Sequence, residues 1–156
     1  MPPSNFERML QLAEDSFAAK KDSNQLDVNE EVIARLQQMH PDTLSEYDDN
    51  GPVVWILLIP TTIELMQKFL KKEISEKELF YQTPINVKYE ALYLCSAMVL
   101  PEYRGKGIAK RLTVEAIKNI SKEYSIQTLF VWPFSKEGEA LATTIAAATA
   151  LPLLTR

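Results

Sequence analysis

The stretch Val99–Leu112, VLPEYRGKGIAKRL, places two of the chain's four glycines two residues apart. Four cations lie within eight positions of this stretch: Arg104, Lys106, Lys110 and Arg111. An apolar run precedes the stretch, and an amphipathic pattern that continues to Tyr124 follows it. This arrangement predicts a turn that leads from the end of a strand into a helix.

The charge of that turn indicates an anionic ligand. The first backbone N–H groups of a helix have no partner inside it, and the macrodipole adds partial positive charge there. Helices usually place Asp or Glu at this end, whereas this one carries Lys106, Lys110 and Arg111. The counter-charge would then come from a bound phosphate or pyrophosphate, which the backbone of Gly105 and Gly107 could approach closely. The alternative is a tight turn with a solvated basic helix start.

The other elements follow from hydrophobic spacing, capping residues and prolines. The predicted helices are 5–20, from near Asp27 to before Pro41, 62–72, 76–81, 107–124 and 136–150. The predicted strands are 53–60, 88–100 and 126–132, and the polar stretch 45–52 is predicted to be a loop. Strand, basic turn, helix and strand form a right-handed crossover unit, which makes its two strands near-parallel neighbours. The sequence therefore predicts an α/β (α+β) fold, a mixed sheet with flanking helices.

Composition sets the broad class. At 156 residues the chain has the usual size of one domain, 1–156, with a single core. It has no apolar run near the ~20 residues that span a bilayer, and no basic segment followed by an apolar one at its start. A lone cysteine, Cys95, excludes an internal disulfide, so we expect a cytoplasmic protein without a membrane partner.

A net charge of −4 with one local basic cluster argues against nucleic acid as a partner. With one His and one Cys, no metal site is expected.

Two phosphate-binding motifs do not fit the stretch. A P-loop needs four residues between its glycines and then Lys-Ser or Lys-Thr, and a dinucleotide fingerprint needs Gly or Ala where Lys110 stands. Arg104, Gly107 and Ala109 instead resemble the acyl-coenzyme A signature of the GCN5-related N-acetyltransferase (GNAT) superfamily: Gln or Arg, two residues, Gly, one residue, Gly or Ala. The preceding MVLPEY resembles the family's passage from its fourth strand into the pyrophosphate loop. The resemblance covers roughly residues 88–133.

The resemblance implies acetyl-coenzyme A as co-substrate. It also implies splayed central parallel strands, here 88–100 and 126–132, which admit the thioester. The backbone of three residues would pair with the pantetheine arm and supply an N–H that polarises the thioester carbonyl: Met98, Val99 and Leu100. The pyrophosphate loop would consist of six residues: Arg104, Gly105, Lys106, Gly107, Ile108 and Ala109.

Acyl transfer to an amine also needs a base and an acid. The amine must be neutral to attack, and the family often places a carboxylate near the start of the long strand, so Glu90 is the candidate base. Alternatively, Glu90 is a charged residue at the exposed end of a strand, without a catalytic role. The family commonly protonates the departing thiolate from a tyrosine on its last helix, but no tyrosine follows Tyr124 here. Tyr93 or a partner chain is then the candidate acid. Cys95 is interpreted as a small core residue rather than an acyl-carrying nucleophile.

The chain also departs from the family pattern. It opens with a helix, inserts about two helices over 61–82, and stops six residues beyond Ala150, where the family adds two strands. An open sheet edge is usually covered, so we expect a homodimer or a helical cover. Three functions remain open: an N-acyltransferase with a small-molecule or peptide amine as acceptor, an inactive module that binds coenzyme A, and a domain that binds another phosphate ligand or a protein.

Overall fold

The computed structural model describes residues 2–20, 26 and 28–156. The expected helix start near Asp27 lies outside the described residues. The helices are α1 (Asn5–Lys20), α2 (Glu30–Met39), α3 (Ile63–Leu70), α4 (Glu76–Gln82), α5 (Ile108–Glu123) and α6 (Lys136–Thr149). The strands are β1 (Leu44–Asp48), β2 (Pro52–Thr61), β3 (Ala91–Val99), β4 (Thr128–Val131) and β5 (Leu153–Thr155).

The five strands form one mixed sheet in the order β1-β2-β3-β4-β5. β1, β2 and β3 are antiparallel neighbours, whereas β3, β4 and β5 are parallel. The crossover helices α5 and α6 join the parallel strands and pack against each other. The predicted α/β class and the mixed sheet with flanking helices are therefore confirmed.

Two expectations about strands are wrong. Residues 44–48 form β1, where a loop over 45–52 was expected, because pairing with β2 overrides the polar, turn-like composition of that segment. Leu153–Thr155 forms β5 beside β4, so one strand does follow the last helix. A three-residue strand is too short to show a period in the sequence. β5 also covers the edge of β4 that was expected to be open.

The sheet opens between its two central parallel strands. β3 and β4 pair only from Ala91↔Thr128 to Leu94↔Val131, while β3 continues alongside β2 to Val99. The register of β2 and β3 shifts at the point where Cys95 is the extra residue on β3. Such a bulge bends a strand and increases its local twist. The strands therefore part after Leu94, as predicted.

Local capping agrees with the sequence. Ser4 and Glu7 hydrogen-bond reciprocally at the start of α1, and Ser75 and Glu78 form a capping box at the start of α4. His40, 5% exposed, ends α2, and its Nδ1 accepts from the N–H of Asp42 at 3.0 Å, which is a structural role.

Two features are lacking among the described residues, 2–20, 26 and 28–156. None of their helices is both long and apolar enough to cross a membrane. They contain no group of three or more His, Cys, Asp or Glu side chains that could hold a metal ion.

Candidate active site

A cleft of about 1030 Å³ begins where β3 and β4 part. One wall is β3 from Leu94 to Val99, and the facing wall is the segment from Val131 to Ser135 after β4. The turn after β3 and the start of α5 close one end. The lining also includes residues of α6, Leu12 of α1, and Ile56 and Leu58 of β2. The cleft therefore connects the splayed strands to the basic turn.

The start of α5 has no side-chain cap. Side chains cap the other five helices in the described part of the chain, and these caps are Ser4, Asn29, Thr62, Ser75 and Ser135. α5 instead begins after Gly107, without a side-chain cap and without an acidic residue in its first turn. Its first N–H groups thus keep their partial positive charge unopposed, which is the condition for binding an anion.

Bare backbone faces open space at this turn. Gly105 and Gly107 have φ of +74° and +77°, a left-handed conformation that side chains disfavour. A Cβ added at Gly105 would meet nothing within 4 Å, and one at Gly107 would meet only Arg111 Nη1 at 3.8 Å. A phosphate group therefore has room beside both glycines.

The predicted loop residues mostly lie together. Five of the six line the cleft: Arg104, Gly105, Gly107, Ile108 and Ala109. Lys106 is not among the lining residues, and its Nζ lies 5.5 Å above the ring of Tyr103.

The four cations of the turn are exposed and available to a ligand. None of the ion pairs within 4.0 Å among the described residues includes Arg104, Lys106, Lys110 or Arg111. Arg104 Nε donates to the carbonyl of Val99 at 3.0 Å, which fixes this side chain against the end of β3. The positive charge near the helix start is thus not neutralised by the described side chains.

Alternation along β3 decides which backbone groups face the cleft. The N–H of Leu100 donates to the carbonyl of Val53 on β2 at 3.0 Å, so it points away from the cleft. Because successive residues of a strand direct N–H groups to opposite edges, Val99 and Ala97 face the cleft and Met98 faces β2. The carbonyl of Val99 accepts from Arg104 Nε rather than from β2, which is consistent with this assignment. The N–H groups of Met98 and Leu100 therefore face β2, although Met98 lines the cleft, and the role expected of Met98, Val99 and Leu100 stays a prediction.

The candidate base and acid do not line the cleft. Glu90 immediately precedes β3, at the end away from the basic turn, and its carboxylate accepts from Gln127 Nε2 at 2.9 Å. Tyr93 is fully buried, and its hydroxyl donates to Glu76 at 2.5 Å. Burial raises the pKa of Tyr93 well above its usual value, which makes it a weaker acid. The structure thus places Tyr93 in the core and Glu90 at the far end of β3, and their roles as acid and base stay predictions.

Glu76 is a residue that sequence reasoning missed. It is only 4% exposed, and its carboxylate accepts from the N–H of Leu26 at 2.7 Å and from the Tyr93 hydroxyl. The thiol of Cys95, which lines the cleft, lies 3.9 Å from the same carboxylate. In the sequence Glu76 is one of several acidic residues at a helix start, a position that usually faces solvent.

The basic turn is held by α1 and by the β1–β2 turn. Arg8 makes two hydrogen bonds of 2.7 Å to the carboxylate of Glu102. The Tyr103 hydroxyl donates to Asp49 Oδ2 at 2.6 Å, and Asn5 Nδ2 donates to the carbonyl of Asp49 at 2.8 Å. The N-terminal helix thus positions the loop that follows β3.

The Arg8–Glu102 pair predicts an acid-dependent loss of stability. Hydrogen bonds from Arg8 lower the pKa of Glu102 to about 2, so the pair stabilises the fold above the unfolded pKa and is lost as the pH falls through about 2. We expect Arg8→Ala to lower the melting temperature at neutral pH, and the gap from the unchanged protein to close between about pH 5 and about pH 2. Melts followed by circular dichroism measure this gap. Arg111→Ala is the control, because Arg111 makes no ion pair within the described chain. Its difference in melting temperature from the unchanged protein should not change as Glu102 becomes protonated. An Arg8→Ala gap that is the same at both pH values would contradict the prediction.

Comparison with known proteins agrees with this geometry. A model of the acetyltransferase (GNAT) family matches residues 74–142, which include α4, β3, the basic turn, α5, β4 and the first half of α6. No curated protein matches the chain. The matched segment carries the bulged strand, the splay and the uncapped basic helix start. Residues 74–142, a little under half of the chain, are therefore similar to the acetyltransferase (GNAT) family.

Proposed function

We propose that this protein is an N-acyltransferase that transfers acetyl from acetyl-coenzyme A to a primary amine by direct attack. The observation that supports this most is the uncapped, basic start of α5 at one end of the cleft between β3 and β4. A cleft of about 1030 Å³ reaches the upper range of ligand sites, which is ~300–1,000 Å³. It therefore has room for a long ligand.

The loop residues would hold the pyrophosphate. The N–H groups in the first turn of α5 would donate to its oxygens, and Gly105 and Gly107 would let the backbone approach them. Arg104, Lys110 and Arg111 would neutralise its charge. The uncapped helix start, the open space at both glycines and the unpaired cations all fit such a group.

The cleft edge of β3 would hold the pantetheine arm. Ala97 and Val99 direct backbone groups toward the cleft, where no strand pairs with them in the described chain. The thioester supplies an activated acyl group, and an N–H of this edge would stabilise the charge that develops on its carbonyl oxygen.

A second candidate is a module of the same fold that binds coenzyme A without turnover. The placement of Glu90 and Tyr93 outside the cleft lining favours it, because both side chains are engaged with other partners, Gln127 and Glu76. The carboxylate among the cleft-lining residues belongs to Glu137, at the exposed start of α6.

Calorimetric titration with acetyl-coenzyme A, followed by an assay of thiol release with a panel of amines, separates these candidates. Micromolar binding with amine-dependent thiol release is the expected result. Binding without thiol release for any amine would favour the inactive module. Absence of binding would overturn both and leave the basic turn as a site for another anion.

A further inference from the structure

The guanidinium of Arg156 lies against two aromatic rings. Its Cζ is 4.4 Å from the ring centre of Phe69 and 4.5 Å from that of Trp132. Both distances are well inside the ~6 Å at which a cation is attracted to an aromatic face. Phe69 and Trp132 themselves meet edge to face, with ring centres 6.0 Å apart. These two rings, together called the aromatic pair below, form a site for a cation.

One nitrogen of the Arg156 guanidinium lacks a hydrogen-bond partner among the described residues. This atom, Nη1, is buried. The ion pairs found between those residues do not include Arg156 either. A buried N–H without an acceptor costs free energy, so this nitrogen is held beside the rings at a cost that an outgoing side chain would recover.

The sheet register places this site at the splay. Val131 pairs with Thr155, and the N–H of Arg156 donates to the carbonyl of Val131 at 3.0 Å, so Arg156 lies beside Trp132. Trp132 is the first residue beyond the last β3–β4 pair, Leu94↔Val131, and it lines the cleft. Trp132 of the aromatic pair therefore lies where the strands part and the cleft begins, and Phe69 is fully buried beside it.

Helix α3 supplies the other half of the site. Phe69 belongs to α3, and its ring packs on those of Tyr93 and Phe130 at 5.1 and 5.8 Å. α3 lies between β2 and β3 in the chain, outside the residues 74–142 that match the family model. α3 thus brings an aromatic ring against Trp132.

We propose that the aromatic pair binds a cationic group of the acyl acceptor, and that the side chain of Arg156 occupies this site until the acceptor displaces it. The identification of the ligand as an acceptor rests on the proposed function. The attacking amine must be neutral, so the bound cation is a second basic group of the same molecule. The acceptor is therefore a molecule with two or more basic groups, such as a diamine or a basic peptide.

Tryptophan fluorescence tests the site without any turnover. The chain has two tryptophans, so Trp55→Phe leaves Trp132 as the only one. In that background, n-butylguanidinium should change the Trp132 emission, whereas its neutral analogue n-butylurea should not. Arg156→Ala should tighten n-butylguanidinium binding about tenfold, since the competing cation is gone. Arg156→Gln, which keeps the polar stem without the charge, should tighten it similarly.

Three outcomes would overturn the proposal. The first is that n-butylguanidinium binds Arg156→Ala and the unchanged side chain with equal affinity. The second is that n-butylurea binds as well as n-butylguanidinium. The third is that calorimetry still detects n-butylguanidinium binding after Trp132→Leu. Calorimetric titration of the same variants with acetyl-coenzyme A keeps the two proposals apart. Arg156 variants that bind acetyl-coenzyme A normally but gain no affinity for the cation would sink the cation site alone. Cation binding by a protein that does not bind acetyl-coenzyme A would sink the proposed function and the acceptor identity, while the aromatic site itself would stand.

Discussion

Gly107→Val is expected to weaken acetyl-coenzyme A binding by at least about tenfold, which corresponds to about 1.4 kcal/mol. Gly107 has φ of +77°, a conformation that a β-branched residue strongly disfavours. Valine would either distort the start of α5 or place methyl groups in the open space beside Arg111. Both effects remove room and N–H geometry for the pyrophosphate. Calorimetric titration of both proteins measures the loss.

Asn50→Val is the matched control for backbone strain. Asn50 also has a left-handed φ, of 56°, but it is exposed in the β1–β2 turn and does not line the cleft. The Asn50→Val protein should be less stable than the unchanged protein but should bind acetyl-coenzyme A with the same affinity. If Gly107→Val bound acetyl-coenzyme A as tightly as the unchanged protein, the basic turn would not be the pyrophosphate site.

Glu76→Leu is expected to destabilise the fold by about 2–4 kcal/mol. The carboxylate accepts from the N–H of Leu26 and from the Tyr93 hydroxyl, and Leu cannot replace it as an acceptor. Two buried donors would then lack partners, each at a cost of ~1–3 kcal/mol. Urea unfolding, followed by circular dichroism, measures the change in the free energy of unfolding.

Two further variants separate hydrogen bonding from helix effects. Glu76→Gln keeps one acceptor oxygen and should lose less stability than Glu76→Leu. Lys77→Leu changes the adjacent exposed position of α4 and should stay within about 0.5 kcal/mol of the unchanged protein. A Glu76→Leu protein as stable as Lys77→Leu would show that the buried carboxylate does not stabilise the core.

Local chemistry made the basic turn predictable. The two glycines, the cations and the amphipathic run after them act within a few residues of one another, so the start of α5 could be located from the sequence. Prediction failed where partners are distant in the chain. β1 and β5 are strands only because β2 and β4 lie beside them, and neither has a hydrophobic period of its own. The sequence could not tell that Glu90 and Tyr93 lie outside the cleft lining, because a period of two does not say which face carries the cleft.

By itself the sequence determined the fold class, the strand–turn–helix unit, the cationic turn and the resemblance to the GNAT family. Each of these depends on residue types at short spacing, which local sterics, capping and the helix dipole translate directly into structure. Only the tertiary structure decided the register at the Cys95 bulge, the backbone edge of Ala97 and Val99, the buried partners of Glu76 and the position of Arg156 on its two rings. These features join segments far apart in the chain, and their geometry is set by sheet pairing and core packing, which no short stretch encodes.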